Sequence, residues 1–137
     1  MTYAHLLDRY RAKHHRFVEP LQGFESLHPS LWLAYSMGRK RGFTDLGTHA
    51  NKPGDHGFYP SLAFDLGRKN RFFFKGWNYL VARRLAKFYW ENHEALHIDY
   101  VILGDRIISR ERPWWHPFTR DTSHMFHIHV SGNQRPQ

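Results

Sequence analysis

Three histidines, His124, His127 and His129, fall close together near the C-terminal end of the sequence. In a β-strand, side chains two positions apart share a face. His127 and His129 therefore project together, while Phe126, Ile128 and Val130 point the other way. Such a strand packs a core with one face and presents ligands with the other. Further back, His56 sits in a glycine-containing loop, and Asp65 alternates with Leu62, Phe64 and Leu66 in a short apolar run. A catalytic zinc takes three protein ligands from His, Asp or Glu and keeps a fourth position open. His56, Asp65 and His129 make a matching set. The sequence contains no cysteine, so thiolate ligands and disulfides are excluded. An aspartate between Phe64 and Leu66 is costly to half-bury unless something neutralises it. A metal, a buried arginine or the backbone amides of a cap would each serve.

These residues need elements to position them. Tyr3, Leu6, Leu7 and Tyr10 repeat at helical spacing and predict an amphipathic helix over 3–14. Pro29 and Ser30 open a second helix carrying Leu31, Ala34, Tyr35 and Gly38, closed near Gly42. Residues 43–49 suit a short strand, 51–57 a loop, and 61–66 a second strand with Asp65 on the face opposite Phe64. Trp77, Leu80, Val81, Leu85, Phe88 and Tyr89 predict a long helix over 76–94 with an apolar stripe in the core. Residues 98–103 and 106–109 read as a hairpin about a Gly104-Asp105 turn. Residues 113–117 read as an irregular aromatic loop before the histidine strand. The sum is a single α+β domain over 1–137. It has a small, mostly antiparallel sheet packed with N-terminal helices and one long central helix.

Composition narrows the class. In 137 residues, 41% are hydrophobic and 17% aromatic, which gives a folded globule rather than a disordered chain. No run approaches the roughly 20 apolar residues of a membrane span, and residues 1–9 carry no apolar signal-peptide core. The expectation is synthesis in a cytoplasm without a signal peptide. Twenty Lys plus Arg against 12 Asp plus Glu give a formal charge of +8, which attracts polyanions of any kind. Arg39-Lys40-Arg41 and Arg83-Arg84 read as solvated helix surface.

The order His…Asp…His-x-His, with a first pair around a loop-strand unit and a last pair in a C-terminal strand, resembles the Hedgehog/D-Ala-D-Ala zinc metallopeptidase superfamily. The likeness is strongest to a bacterial and phage branch. Its segments are matched here by Asn51-Lys52-Pro53-Gly54-Asp55-His56, by Ile98-Asp99-Tyr100-Val101-Ile102, and by His124 through Ser131. The resemblance implies a Hedgehog/DD-peptidase-like fold and Zn2+ held by His56, Asp65 and His129. It implies hydrolysis of a peptide bond in peptidoglycan, in a stem peptide or a crosslink, by a phage lysin or cell-wall peptidase acting once released or otherwise exported. His127 is the first choice as general base. His124 is the second, as base or as a substrate and oxyanion contact. Lys52 stands where relatives commonly carry an oxyanion-stabilising arginine. Relatives also carry a Glu or Asp base where this chain has Ser123 and His124, and the nine-position separation of His56 and Asp65 exceeds that of compact members. These departures bear on turnover more than on metal binding.

Two other classes follow from the same residues. A catalytically inert zinc-binding module would recognise cell-wall peptide or a protein partner without cleaving it. A metal-dependent nuclease or DNA-binding protein would use the +8 charge, but no helix-turn-helix, zinc-finger or RNP pattern is present, so nucleic acid is disfavoured. An anionic cell-wall polymer suits the basic surface better.

Overall fold

A computed structural model describes residues 1–67, 75–118 and 127–135, the side chains of 75–78 excepted. Helix α1 (Tyr3–Lys13) starts where the Thr2 hydroxyl accepts from the His5 N–H at 3.2 Å, and it buries Leu6 and Tyr10. Pro29 opens a short 3-10 turn (Pro29–Leu31) that runs into α2 (Trp32–Lys40). Gly38 lets α2 approach closely, because a Cβ there would lie 2.3 Å from a Leu66 methyl and 2.4 Å from the Tyr89 hydroxyl. The third helix, α3 (Lys75–Glu91), buries Ala82, Leu85, Ala86 and Tyr89, which recur at i, i+3, i+4 and i+7.

The strands are β1 (Thr44–Gly47), β2 (Ala63–Gly67), β3 (Ile98–Leu103), β4 (Arg106–Ser109), β5 (His116–Pro117) and β6 (His127–Gly132). They form one antiparallel sheet in the order β1-β2-β6-β3-β4-β5. The α+β class and the antiparallel sheet are as the sequence predicts, and the hairpin ends fall where expected. Gly104 takes φ 58° at the first turn position, where a two-residue turn of this kind uses glycine.

Phe64, Leu66, Val101, Leu103, Ile108, Ile128 and Val130 point into one core shared with all three helices. On the other face, register places Asp65, His129 and Ile102 side by side on β2, β6 and β3. The last strand of the chain, β6, therefore lies mid-sheet, and its alternation carries His127, His129 and Ser131 to the face away from the helices.

Three expectations need correction. Leu80 is 50% exposed and not part of the core stripe, because the buried arc of α3 is centred on Ala82, Leu85, Ala86 and Tyr89. Phe88 is only partly buried, with the Arg41 guanidinium 4.1 Å from its ring centre. Residues 116–117, expected in an irregular loop, pair with β4 as β5. The Trp77 side chain and the predicted strand residues 123–126 lie outside the described residues.

Candidate metal centre

His56 is delivered by a 3-10 turn (Asp55–Gly57) between β1 and β2, and its side chain is buried. Backbone bonds pin this turn: Ala50 N–H donates to the His56 carbonyl at 2.9 Å, and Leu62 N–H donates to the Asp55 carbonyl at 3.0 Å. Only glycine fits at position 57, since a Cβ would lie 2.0 Å from the Lys52 carbonyl oxygen. Asp65 and His129 need no loop. They are directly opposed residues of β2 and β6, whose side chains on one face are close neighbours.

The three side chains converge. His56 Nε2 lies 3.2 Å from Asp65 Oδ2 and 3.2 Å from His129 Nδ1, and His129 Nδ1 lies 2.9 Å from Asp65 Oδ1. Ligands about 2.05 Å from a tetrahedral zinc stand roughly 3.3 Å apart. The separations are of that order, with Asp65 turning a different oxygen to each histidine. The three residues form a group of candidate metal ligands.

Tautomers sharpen the point. His56 Nδ1 contacts the Thr48 carbonyl, which can only accept, so Nδ1 carries the proton and Nε2 presents a lone pair. His129 Nε2 lies 2.8 Å from the Ser131 hydroxyl, which can take its N–H and leave Nδ1 as the inward lone pair. Metal-binding histidines are oriented in this way, by an outer partner on the second nitrogen. In these tautomers two ring lone pairs and a carboxylate face one another, and a cation there takes the place of the inward protons that otherwise hydrogen-bond the rings to Asp65. A proton relieves one such contact; a cation relieves all three. Among the described residues the partners of Asp65 are three imidazoles, with no arginine or backbone cap. The buried Asp45 is different, being met by the Tyr35 hydroxyl at 2.7 Å and the N–H groups of Leu21 and Gly47.

Burial opposes charge on Asp65, but hydrogen bonds from His127, His129 and His56 outweigh it and hold the carboxyl far below the usual range. Burial also disfavours protonation of His56, yet its hydrogen bond to Asp65 and that carboxylate's charge win and raise it above the ordinary imidazole value. His129 is lowered, chiefly by burial.

Around the three lie further groups. His127 Nε2 is 3.2 Å from Asp65 Oδ1, on the same strand face as His129. The Tyr100 ring stacks on His129 at 5.6 Å, and its hydroxyl donates to Asp55 at 3.1 Å. Arg135 bridges Asp55 at 2.9 Å and Asp99 at 2.6 Å, tying the C-terminal segment to the turn that carries His56. Lys52 is exposed, and its charge reaches His56, where it opposes protonation. His124 lies outside the described residues. Ser131 was legible as the next same-face position after His129. Tyr100 required the β3–β6 register, and the Thr48 carbonyl leaves no side-chain signal at all.

A scan of protein-family models and searches of curated proteins and solved structures give no match to this chain.

Proposed function

We propose that this chain is a zinc-dependent peptidase of the Hedgehog/D-Ala-D-Ala metallopeptidase kind, which hydrolyses a stem-peptide or crosslink bond in peptidoglycan as a phage lysin or cell-wall peptidase. The observation that carries this reading is the convergence of His56 Nε2, Asp65 and His129 Nδ1 beside a fourth group, His127. Zinc, when bound there, supplies Lewis acidity toward a carbonyl and toward water. The chain's own residues do the rest. His56, Asp65 and His129 hold the ion, while the Thr48 carbonyl and Ser131 fix which ring nitrogen each histidine presents. His127 accepts the proton released as water adds and returns it to the leaving amine. Its ring is 22% exposed, with Nε2 3.2 Å from Asp65 Oδ1. Lys52 contributes positive charge to the developing oxyanion, and His124 serves as the second candidate base or a substrate contact. The +8 charge favours an anionic wall polymer as the carrier of the substrate.

Zinc-loaded protein incubated with purified peptidoglycan should release peptide fragments identifiable by mass spectrometry, and chelation should stop their release. Intact peptidoglycan after incubation with a zinc-saturated sample overturns the peptidase reading. It leaves the inert module, which the absence of a free carboxylate beside the ligands among the described residues favours: Asp55, on the turn that carries His56, is held by Arg135 and Tyr100.

A further inference from the structure

On the sheet face opposite His129, a groove of about 820 Å³ runs between α3 and β4, with Leu103 and Ile108 in its lining. Its volume is in the range of specific ligand sites. Four aromatic side chains line it: Tyr79 and Trp90 from α3, and Trp114 and Trp115 from the segment before β5. Trp114 is 54% exposed, an unusual position for a tryptophan that serves only packing. Three cations share the lining, Arg83 and Lys87 one turn apart on α3 and Arg106 on β4. A fourth, Arg112, lies 5.5 Å from the Trp114 ring. The single acid of the lining, Glu91, is 3.7 Å from Lys87 and offsets its charge, which leaves Arg83 and Arg106 in excess.

We propose that this groove binds an acidic glycan strand. Flat aromatic faces match the apolar C–H faces of pyranose rings, and planar guanidinium groups match carboxylates in bidentate fashion. The groove alone would also suit a single-stranded nucleic acid, because stacking platforms and cations serve both. The choice of glycan rests on the peptidase reading, in which substrate peptides are amide-linked to a glycan strand whose muramyl units, wherever the peptide has been removed, carry free lactyl carboxylates. Holding the strand on one face of the sheet raises the local concentration of its peptides at the other.

The test uses the full zinc-loaded chain. Its probe is fluorescently labelled glycan strands from peptidoglycan whose stem peptides have been removed, so that muramyl units carry free lactyl carboxylates. Fluorescence anisotropy should give saturable binding that weakens with salt. Trp114→Ala and Arg106→Gln, both at exposed positions, should each weaken it by at least about fivefold while leaving zinc content and melting temperature unchanged. Asp65→Ala should bind the strand as wild type does, which separates this groove from the metal centre. The inference is overturned if no saturable binding occurs or if neither groove variant weakens it. It is equally overturned if a single-stranded oligonucleotide binds more tightly, or if a ring-free glycerol-phosphate polymer binds as well as the glycan. Glycan binding without peptide release would contradict the peptidase and leave the groove standing. Peptide release without glycan binding would do the reverse.

Discussion

Replacing Ser131 by alanine removes a single hydroxyl, and its effect on the metal centre can be worked out. Ser131 is fully buried, and its hydroxyl lies 2.8 Å from His129 Nε2. Without it, His129 loses the partner that takes the Nε2 proton, so the tautomer with its proton on Nδ1 becomes populated. That proton would sit between His129 and Asp65, 2.9 Å apart, where the cation belongs. Loss of an outer hydrogen-bond partner of a metal-binding histidine costs about 10–100-fold in affinity, or roughly 1.4–2.7 kcal/mol. Competition with a chromophoric chelator measures zinc affinity directly. Tyr100→Phe is the control, because it keeps the ring stacked at 5.6 Å on His129 and deletes a hydroxyl that reaches Asp55 and Ser131 but not His129 itself. Its zinc affinity should change by less than about threefold, within the context-dependence of one outer contact. If Ser131→Ala binds zinc as tightly as wild type, the assignment of Nδ1 as the inward nitrogen of His129 is wrong.

Other outcomes follow from the same geometry. His127→Ala should keep its zinc and lose about 10²–10⁴ in the rate of peptide release, as removal of a general base does; full activity in that variant would move the proton-transfer role to His124. Leu85→Ala, at a position 1% exposed, should cost about 2–5 kcal/mol in denaturant unfolding, whereas Leu80→Ala, at 50% exposed, should cost under about 0.5 kcal/mol. Equal costs would mean that the buried arc of α3 is misplaced. Zinc affinity should fall on acidification, because binding requires neutral imidazoles. The hydrogen bond and charge of Asp65 raise His56 despite burial, so the fall should begin above the ordinary imidazole value near 6.5. The sign follows from protons competing at low pH, and a chelator titration with affinity flat between pH 8 and pH 5 would refute it.

Much of the site was legible because strand alternation is a strict rule. Once 61–66 and 127–130 are strands, Asp65 and the two histidines must lie opposite Phe64 and Val130, and the sheet pairs Asp65 directly with His129. The β3–β4 hairpin was equally legible, because glycine at position 104 allows the positive φ that a two-residue turn needs. What sequence cannot carry is pairing between distant segments. Two residues have no period, so β5 could not be distinguished from loop. The placement of β6 between β2 and β3 depends on contacts across more than sixty positions on the β2 side. Tyr100 and Arg135 join the site only through that placement. Leu80 departs from the predicted stripe because the helix turns about 100° per residue and carries it out of the buried arc.

The claim on which the rest depends is that His56, Asp65 and His129 hold one metal ion. Equilibrium dialysis against zinc, followed by elemental analysis of wild type and Asp65→Ala, tests it most directly. Wild type should retain one zinc per chain, and Asp65→Ala should lose it while keeping the helical signal of α3, whose packing lies on the other face of the sheet. A wild-type chain without stoichiometric zinc, or an Asp65→Ala chain that keeps it, would contradict the account.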